Sequence, residues 1–244
     1  MAIFENKSIV DISKVGSNSF ITNKGMLELL ETAACFHSDT AGYGIKDIPS
    51  TNLSWVQLNW KVKIFRRLRY GEEVTVKTWA RSSTKVSTLR DFEVLDSNNK
   101  PVCIATTRWT LINIDTLSIT KITDDIIEKY KPEEKTVLPD FEFKKLIEPH
   151  SYSNKYVYTT QRRDIDVNKH MHNLNYLDLA YEALPEDIYN QTLKNNFDNI
   201  EIMYKTSIRL GDTSKCLYSF ENDKHIITIK SLDDKALHCI INLW

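Results

Sequence analysis

Asp166, Asn168 and His170 place a carboxylate, a carboxamide and an imidazole within five residues, inside the run Asp164-Ile165-Asp166-Val167-Asn168-Lys169-His170-Met171-His172-Asn173. An imidazole titrates near neutral pH and can take a proton from water. A carboxamide can donate hydrogen bonds to a developing oxyanion, and backbone N–H groups at a following helix start would add to that. A carboxylate can hold the imidazole tautomer or itself polarise the water. Such a set is equipped to hydrolyse an activated acyl group. The competing reading is that Asp166 or Asn168 caps the helical run that follows, for which both residue types are favoured. His172, two residues beyond His170, would point to another side of a helix, and its spacing assigns it to packing or solvent.

The elements that must position this segment read as one unit written twice. In the first copy a β-like stretch leads to Asn23-Lys24-Gly25-Met26, and Met26, Leu29, Leu30, Ala33 and Ala34 recur at helical spacing. Gly42-Tyr43-Gly44 and Pro49 end that helix. Strands rich in Val, Ile, Thr and Trp follow at roughly 53–66, 72–82, 86–96 and 101–114. The second copy opens near Tyr156-Val157-Tyr158, sets Asn168-Lys169-His170-Met171 against Asn23-Lys24-Gly25-Met26, and continues with strands near 200–208, 213–221, 224–232 and 236–243. Arg69-Tyr70-Gly71-Glu72 is echoed by Arg209-Leu210-Gly211-Asp212. This alignment puts Gly25 in the place of His170, so chemistry is expected in the second half alone. Each copy is an α+β unit, one long helix packed on an antiparallel sheet. The expected division is a first unit at 1–130, a charged and Pro-punctuated linker at 131–152, and a second unit at 153–244.

Bulk properties narrow the functional classes. A formal charge of -1 gives no whole-chain electrostatic case for nucleic acid. With 41% apolar and 27% charged residues the chain is globular in type. No apolar run approaches the length of about 18 residues that suggests a membrane span. The segment Met1-Ala2-Ile3-Phe4-Glu5-Asn6-Lys7 lacks a signal-peptide layout, so a cytoplasmic protein is expected. Four cysteines without a Cys-x-x-Cys pair give no disulfide framework, and six histidines without His-x-x-x-His give no metal signal. Trp55, Trp60, Trp79, Trp109, Phe65 and Phe92 make the first half aromatic-rich, which reads first as core.

The chain resembles the acyl-acyl carrier protein thioesterases of the plant plastid and bacterial type. The resemblance rests on Leu30-Glu31-Thr32-Ala33, Thr40-Ala41-Gly42, Asn52-Leu53-Ser54-Trp55-Val56, Val74-Thr75-Val76-Lys77-Thr78-Trp79, Leu89-Arg90-Asp91-Phe92 and Trp109. Most specifically it rests on the Asp164 to Tyr176 run. It implies two tandem hotdog units, a first half that lines a pocket for the acyl chain, and catalytic roles for Asp166, Asn168 and His170. It implies no metal and no organic cofactor. The family also places a glutamate, followed in plant members by a cysteine, on the next strand. Ser207 and Ile208 stand there in this sequence, which argues against a thiolate mechanism. Ser207 and Glu182 are supporting candidates, with Glu201 and Asp178 as other carboxylates able to substitute.

The expected activity is hydrolysis of fatty acyl-acyl carrier protein to free fatty acid and carrier protein, terminating chain elongation. An acyl-CoA hydrolase and a non-catalytic acyl-binding hotdog protein are the alternatives, the second favoured by Ser207. Lys61, Lys63, Arg66, Arg67 and Arg69 supply five basic residues in nine. A solvated strand edge is their ordinary reading, and a docking patch for the acidic carrier protein is the functional one. Association of two chains as a homodimer is left open.

Overall fold

The computed structural model describes residues 2–244. Helix α1 (Asn23–Ala41) forms because its apolar residues share one face and both ends are closed. The Thr22 hydroxyl accepts the Gly25 N–H at 2.9 Å, and Gly42, at φ 76°, turns the chain out of the helix. Met26, Leu27, Leu30 and Ala33 are fully buried. A short helix α2 (Ile48–Thr51) follows, and α3 (Asp124–Tyr130) closes the first half. The second half carries α4 (Asn175–Glu182) and α5 (Glu186–Thr192).

Among the described residues ten strands form one antiparallel sheet. They are β1 (Phe4–Ile9), β2 (Leu53–Ile64), β3 (Glu73–Ser83), β4 (Thr88–Asp96), β5 (Pro101–Asn113), β6 (Asn154–Thr159), β7 (Asn199–Tyr204), β8 (Thr213–Glu221), β9 (Lys224–Ser231) and β10 (Leu237–Leu243). Their order, β1-β3-β4-β5-β2-β7-β10-β9-β8-β6, reads the same from either end once the two copies are equated. The halves meet where β2 pairs with β7, with Trp60 opposite Ile202 and Lys61 opposite Glu201. Along β2 the residues Trp60, Val62 and Ile64 turn inward to one core that includes both α1 and α4. Burying side chains of this size is worth about 1.5–3 kcal/mol each. The architecture is α+β, two hotdog units fused through one sheet.

The internal repeat is detailed. Gly71 and Gly211 adopt φ of 83° and 85° in equivalent turns. Glu72 and Asp212 each accept the backbone N–H of the arginine three residues earlier, at 2.7 and 2.8 Å. The loop before each helix is also repeated: the bridge Val15–Ile21 recurs as Ile165–Met171, and Ser19 and Lys169 share φ of 64° and 63°. This corrects the alignment drawn from sequence. Asp166, Asn168, His170 and His172 correspond to Gly16, Asn18, Phe20 and Thr22, so Phe20, not Gly25, stands where His170 does. The similar strings Asn-Lys-Gly-Met and Asn-Lys-His-Met misled because α4 begins only at Asn175, whereas α1 begins at Asn23.

Residues 131–153 hold no helix or strand and lie against the sheet. The Glu133 N–H bonds the Ala80 carbonyl at 2.9 Å, and Leu146 packs on Met203, Ile226 and Ile240. Of the aromatic residues, Trp60, Trp79 and Phe92 are fully buried, but Phe65 is half exposed. No helix among the described residues is long and apolar enough to cross a membrane.

Gly25 is fixed by close packing: a Cβ there would collide with the backbone of Lys14. Gly25→Ala is therefore expected to lower stability in urea or thermal unfolding by about 1–3 kcal/mol of overpacking. An open helical site would instead gain about 1 kcal/mol from the same change.

Candidate active site

The loop from Ile165 to Asn173 is held rigidly by its own backbone and by two neighbouring elements. The Asp166 N–H bonds the His170 carbonyl at 2.9 Å, Met171 N–H bonds the Ile208 carbonyl at 2.8 Å, and His172 N–H bonds the Asp164 carbonyl at 2.8 Å. Asp164 is buried and accepts the Tyr158 hydroxyl at 2.8 Å and the Gln161 N–H at 2.7 Å, so it anchors the loop. The Tyr204 hydroxyl donates to the Asn173 carbonyl at 3.0 Å. Asp166 Oδ1 accepts the N–H of Asn168 at 2.8 Å and that of His170 at 3.4 Å. The carboxylate thus organises the turn, and among the described residues no side-chain hydrogen bond joins it to the His170 ring. Neither Asp166 nor Asn168 caps a helix. The N–H groups of Asn175 and Tyr176, at the start of α4, already bond the carbonyls of His172 and Asn173, so they are not oxyanion donors.

This loop lines a cavity of about 1170 Å³ together with Ser207, which is exposed on the segment after β7. The cavity continues into the first half, along α1, past Ser54 to Leu58 of β2, and between Trp109 and Tyr130. The Ser54 hydroxyl donates to Asn168 Oδ1 at 3.4 Å, which turns the amide N–H groups of Asn168 away from Ser54 as available donors. Deeper in the wall, Arg90 is buried, bonds His37 Nδ1 at 2.9 Å and Thr78 Oγ1 at 3.2 Å, and faces the Tyr130 ring. Burial lowers the Arg90 pKa from the ordinary arginine value.

His172 Nε2 lies 3.1 Å from Glu31 Oε2 of α1, and both residues line the same cavity. The hydrogen bond to Glu31 raises the His172 pKa against the opposing effect of burial. Sequence reasoning assigned His172 to packing or solvent and gave Glu31 no role at the site. The available signal was Glu31 itself, a carboxylate between Leu27, Leu30 and Ala34 on the helix face that packs inward.

The other sequence candidates fall elsewhere. Glu182 borders a separate hollow with Asn154 and Tyr189, Glu201 pairs with Lys61 and Lys224, and Asp178 pairs with Lys24 at 2.5 Å. The basic run is largely neutralised within the chain. Lys61 bonds Glu201 at 3.1 Å, Arg66 bonds Glu72 and Asp96, and Arg67 is drawn into Asn23, Phe197 and Asp198. Lys63 and Arg69 lie over the rings of Phe65 and Phe20. Within the cluster Lys63 and Arg69 are exposed and have no ion-pair partner among the described residues. The cations that border the cavity and are exposed are Lys169, Lys205 and Arg209.

Two hotdog units sharing one sheet, with Asn168 and the imidazoles of His170, His172 and His238 on the wall of one mostly apolar cavity, define a double-hotdog protein. The chain belongs to the acyl-ACP thioesterase family: the family's N-terminal domain matches residues 2–130 and its C-terminal domain matches residues 147–238. It is 27% identical over 202 residues to oleoyl-acyl carrier protein thioesterase 1, chloroplastic, of Arabidopsis thaliana, covering 76% of this chain and 56% of that protein. Its identity to the second Arabidopsis thaliana oleoyl-acyl carrier protein thioesterase is 24% over 242 residues, covering 92% of this chain and 65% of that one. The chain thus spans less than two thirds of these curated relatives. The fold is similar to an acyl-ACP thioesterase from Bacteroides thetaiotaomicron, with TM-score 0.85 at 20% identity over 99% of this chain and 97% of that one. It is similar too to a 12:0-ACP thioesterase from Umbellularia californica, with TM-score 0.87 at 18% identity over 100% and 96%.

Burial raises the Cys35 thiol to about 11 and the Cys103 and Cys216 thiols to about 12, and Cys239 also lies well above its ordinary value. A thiolate is the reactive form. Alkylation of the folded protein near pH 7.5 should therefore be slow at all four, as read by mass spectrometry over time. Rapid labelling at a single cysteine would show otherwise.

Proposed function

We propose that this chain hydrolyses the thioester of a fatty acyl chain carried on acyl carrier protein, giving the free fatty acid and the carrier. The observation that carries this reading is the continuity of one cavity from the Asp166, Asn168 and His170 loop into the apolar interior of the first half. The first unit, 1–130, takes the acyl chain, the second, 153–244, supplies the reacting groups, and 131–152 links them. Each buried substrate methylene contributes about 0.8 kcal/mol, so a cavity of fixed depth selects chain length.

In this reading the Asn168 amide, set by Ser54, donates to the oxyanion as water adds to the carbonyl. His170 accepts the proton of that water, and Asp166 holds the turn that presents both side chains. Ser207, at the cavity wall, is a polar group beside the water. The intact Asp166, Asn168 and His170 set disfavours a purely acyl-binding role. Lys169, Lys205 and Arg209, placed around the opening, are the cations that would meet an acidic carrier or the phosphate of its prosthetic arm. An acyl-CoA substrate shares that phosphate, which makes it the second reading. The proposed location is the cytoplasm, although the Arabidopsis relatives above are named chloroplastic.

Turnover of acyl-acyl carrier proteins from short to long chains, by wild type and by His170→Ala, tests the activity. Fatty acid release by wild type and its loss in the variant are expected. Tight acyl binding without turnover at any chain length would leave only the binding reading. Asn168→Ala should lower kcat by roughly 10²–10³, as for other oxyanion donors, and Ser54→Ala by less.

The double charge reversal Lys205→Glu with Arg209→Glu should raise KM for carrier-linked substrate much more than for acyl-CoA. An equal rise for both would remove the preference for the carrier.

A further inference from the structure

The proposed hydrolysis needs a proton at sulfur. Collapse of the tetrahedral adduct breaks the C–S bond with the electron pair passing to sulfur, and a thiol such as that of cysteine has a pKa of about 8.5. An acid that protonates the departing sulfur therefore assists the step near neutral pH. The imidazolium formed at His170 is one source of that proton, and a second imidazole already charged before water adds is another.

We propose that His172, held by Glu31 from the other half of the molecule, is the general acid for the thiolate, with Glu31 as its positioning residue. This inference rests on the thioesterase reading and deepens it. The geometry has three parts. Glu31 Oε2 lies 3.1 Å from His172 Nε2, which fixes that nitrogen as N–H and stabilises the imidazolium. The ring's other nitrogen, Nδ1, has no hydrogen-bond partner among the described residues, and His172 lines the cavity that holds Asn168 and His170. The loop fixes the backbone of His172 through its N–H bond to the Asp164 carbonyl at 2.8 Å, so the ring has one rigid attachment and one carboxylate to orient it.

The surroundings agree in sign. Asp166 adds to Glu31 in favouring the charged imidazole, whereas burial and Lys24 of α1 oppose it, and the net effect raises the pKa. Glu28 and Cys35 on α1 and Tyr204 on β7 are the other titratable groups within electrostatic reach of Glu31. Of the three imidazoles that line the cavity, His170, His172 and His238, His172 is the one with a carboxylate partner among the described residues, and His238 Nδ1 is engaged by the Thr206 carbonyl at 2.9 Å. Unlike surroundings for neighbouring imidazoles are what separate an acid from a base. The step balances: Nδ1–H passes its proton to sulfur, the carrier thiol leaves, and His172 regains a proton from solvent as His170 releases one.

The structure brings Glu31 into the cavity from α1, in the other half of the molecule. The two hotdog units would then each contribute to one proton path, the imidazole from one and the carboxylate from the other.

The test compares two leaving groups on one acyl chain, the acyl-CoA thioester and the S-phenyl thioester, whose thiol is far more acidic. His172→Asn should lower kcat/KM roughly 10²-fold on the alkyl thioester, the usual range for general acid catalysis, and less than about threefold on the aryl one. Glu31→Gln, which keeps the shape and the fold but removes the charge, should move the alkaline limb of the kcat profile to lower pH, because the acid loses its proton sooner. A change that merely loosened the loop would depress both substrates alike and leave the limb in place. Equal losses on both thioesters, or an unmoved limb in Glu31→Gln, overturn the assignment while turnover by wild type keeps the thioesterase reading. Absence of wild-type turnover on every thioester overturns both.

Discussion

The pairing of β2 with β7 is the contact on which the site depends. It sets Trp60 beside Ile202 and Val62 beside Ile200, and so fixes the register of one half against the other. A slip of one residue would turn these apolar side chains to the opposite face. Ser54, at the start of β2, reaches Asn168 only because that register is held, and the inner wall of the first half opens directly onto the loop of the second. The ion pair of Lys61 with Glu201 sits on the outer face of this seam, flanked by Lys224 and the Trp244 ring. Its half-buried partners favour alignment of the two strands more than they add net stability.

A repeated fold gives two nearly identical loops, and their side chains have diverged in use. In the first copy Asn18 accepts the Phe20 N–H at 3.0 Å and donates to the Leu193 carbonyl at 2.7 Å, so the carboxamide is committed to tying the halves together. Thr22 caps α1 through its hydroxyl. The corresponding Asn168 and His172 face the cavity instead. The backbone that serves to start a helix in one half serves in the other to present polar groups, and the delayed start of α4 at Asn175 makes room for them.

Local pattern made the strands and α1 legible in the sequence. Alternation along β2 to β5 and β7 to β10, and the apolar stripe of α1, are short-range features that a single chain exposes directly. That Asp166, Asn168 and His170 share one loop of the candidate site was legible for a similar reason, since they are close neighbours in one segment. The pairing of Glu31 with His172 was not, because the two residues are brought together only by tertiary packing of α1 on the second half. The basic run from Lys61 to Arg69 was legible as charge, but its pairing was only partly so. Glu72 is near Arg66 in sequence, whereas Glu201, Asp96 and Asp198 reach Lys61, Arg66 and Arg67 only through the fold.

The fate of Arg69 and Arg209 follows from one substitution in the repeat. Both begin the same glycine turn, with the same backbone hydrogen bond to the acidic residue that ends it. In the first copy the loop residue opposite is Phe20, and the Arg69 guanidinium lies 4.9 Å from its ring centre. That contact satisfies the cation with an aromatic face and closes the surface there. In the second copy the residue at Phe20's place is His170, which turns toward the cavity, and the Arg209 side chain has no hydrogen bond or ion pair among the described residues. Replacing an aromatic ring by an imidazole at this place therefore changes two things at once. It places an imidazole on the cavity wall, and it leaves a cation exposed at the cavity's border.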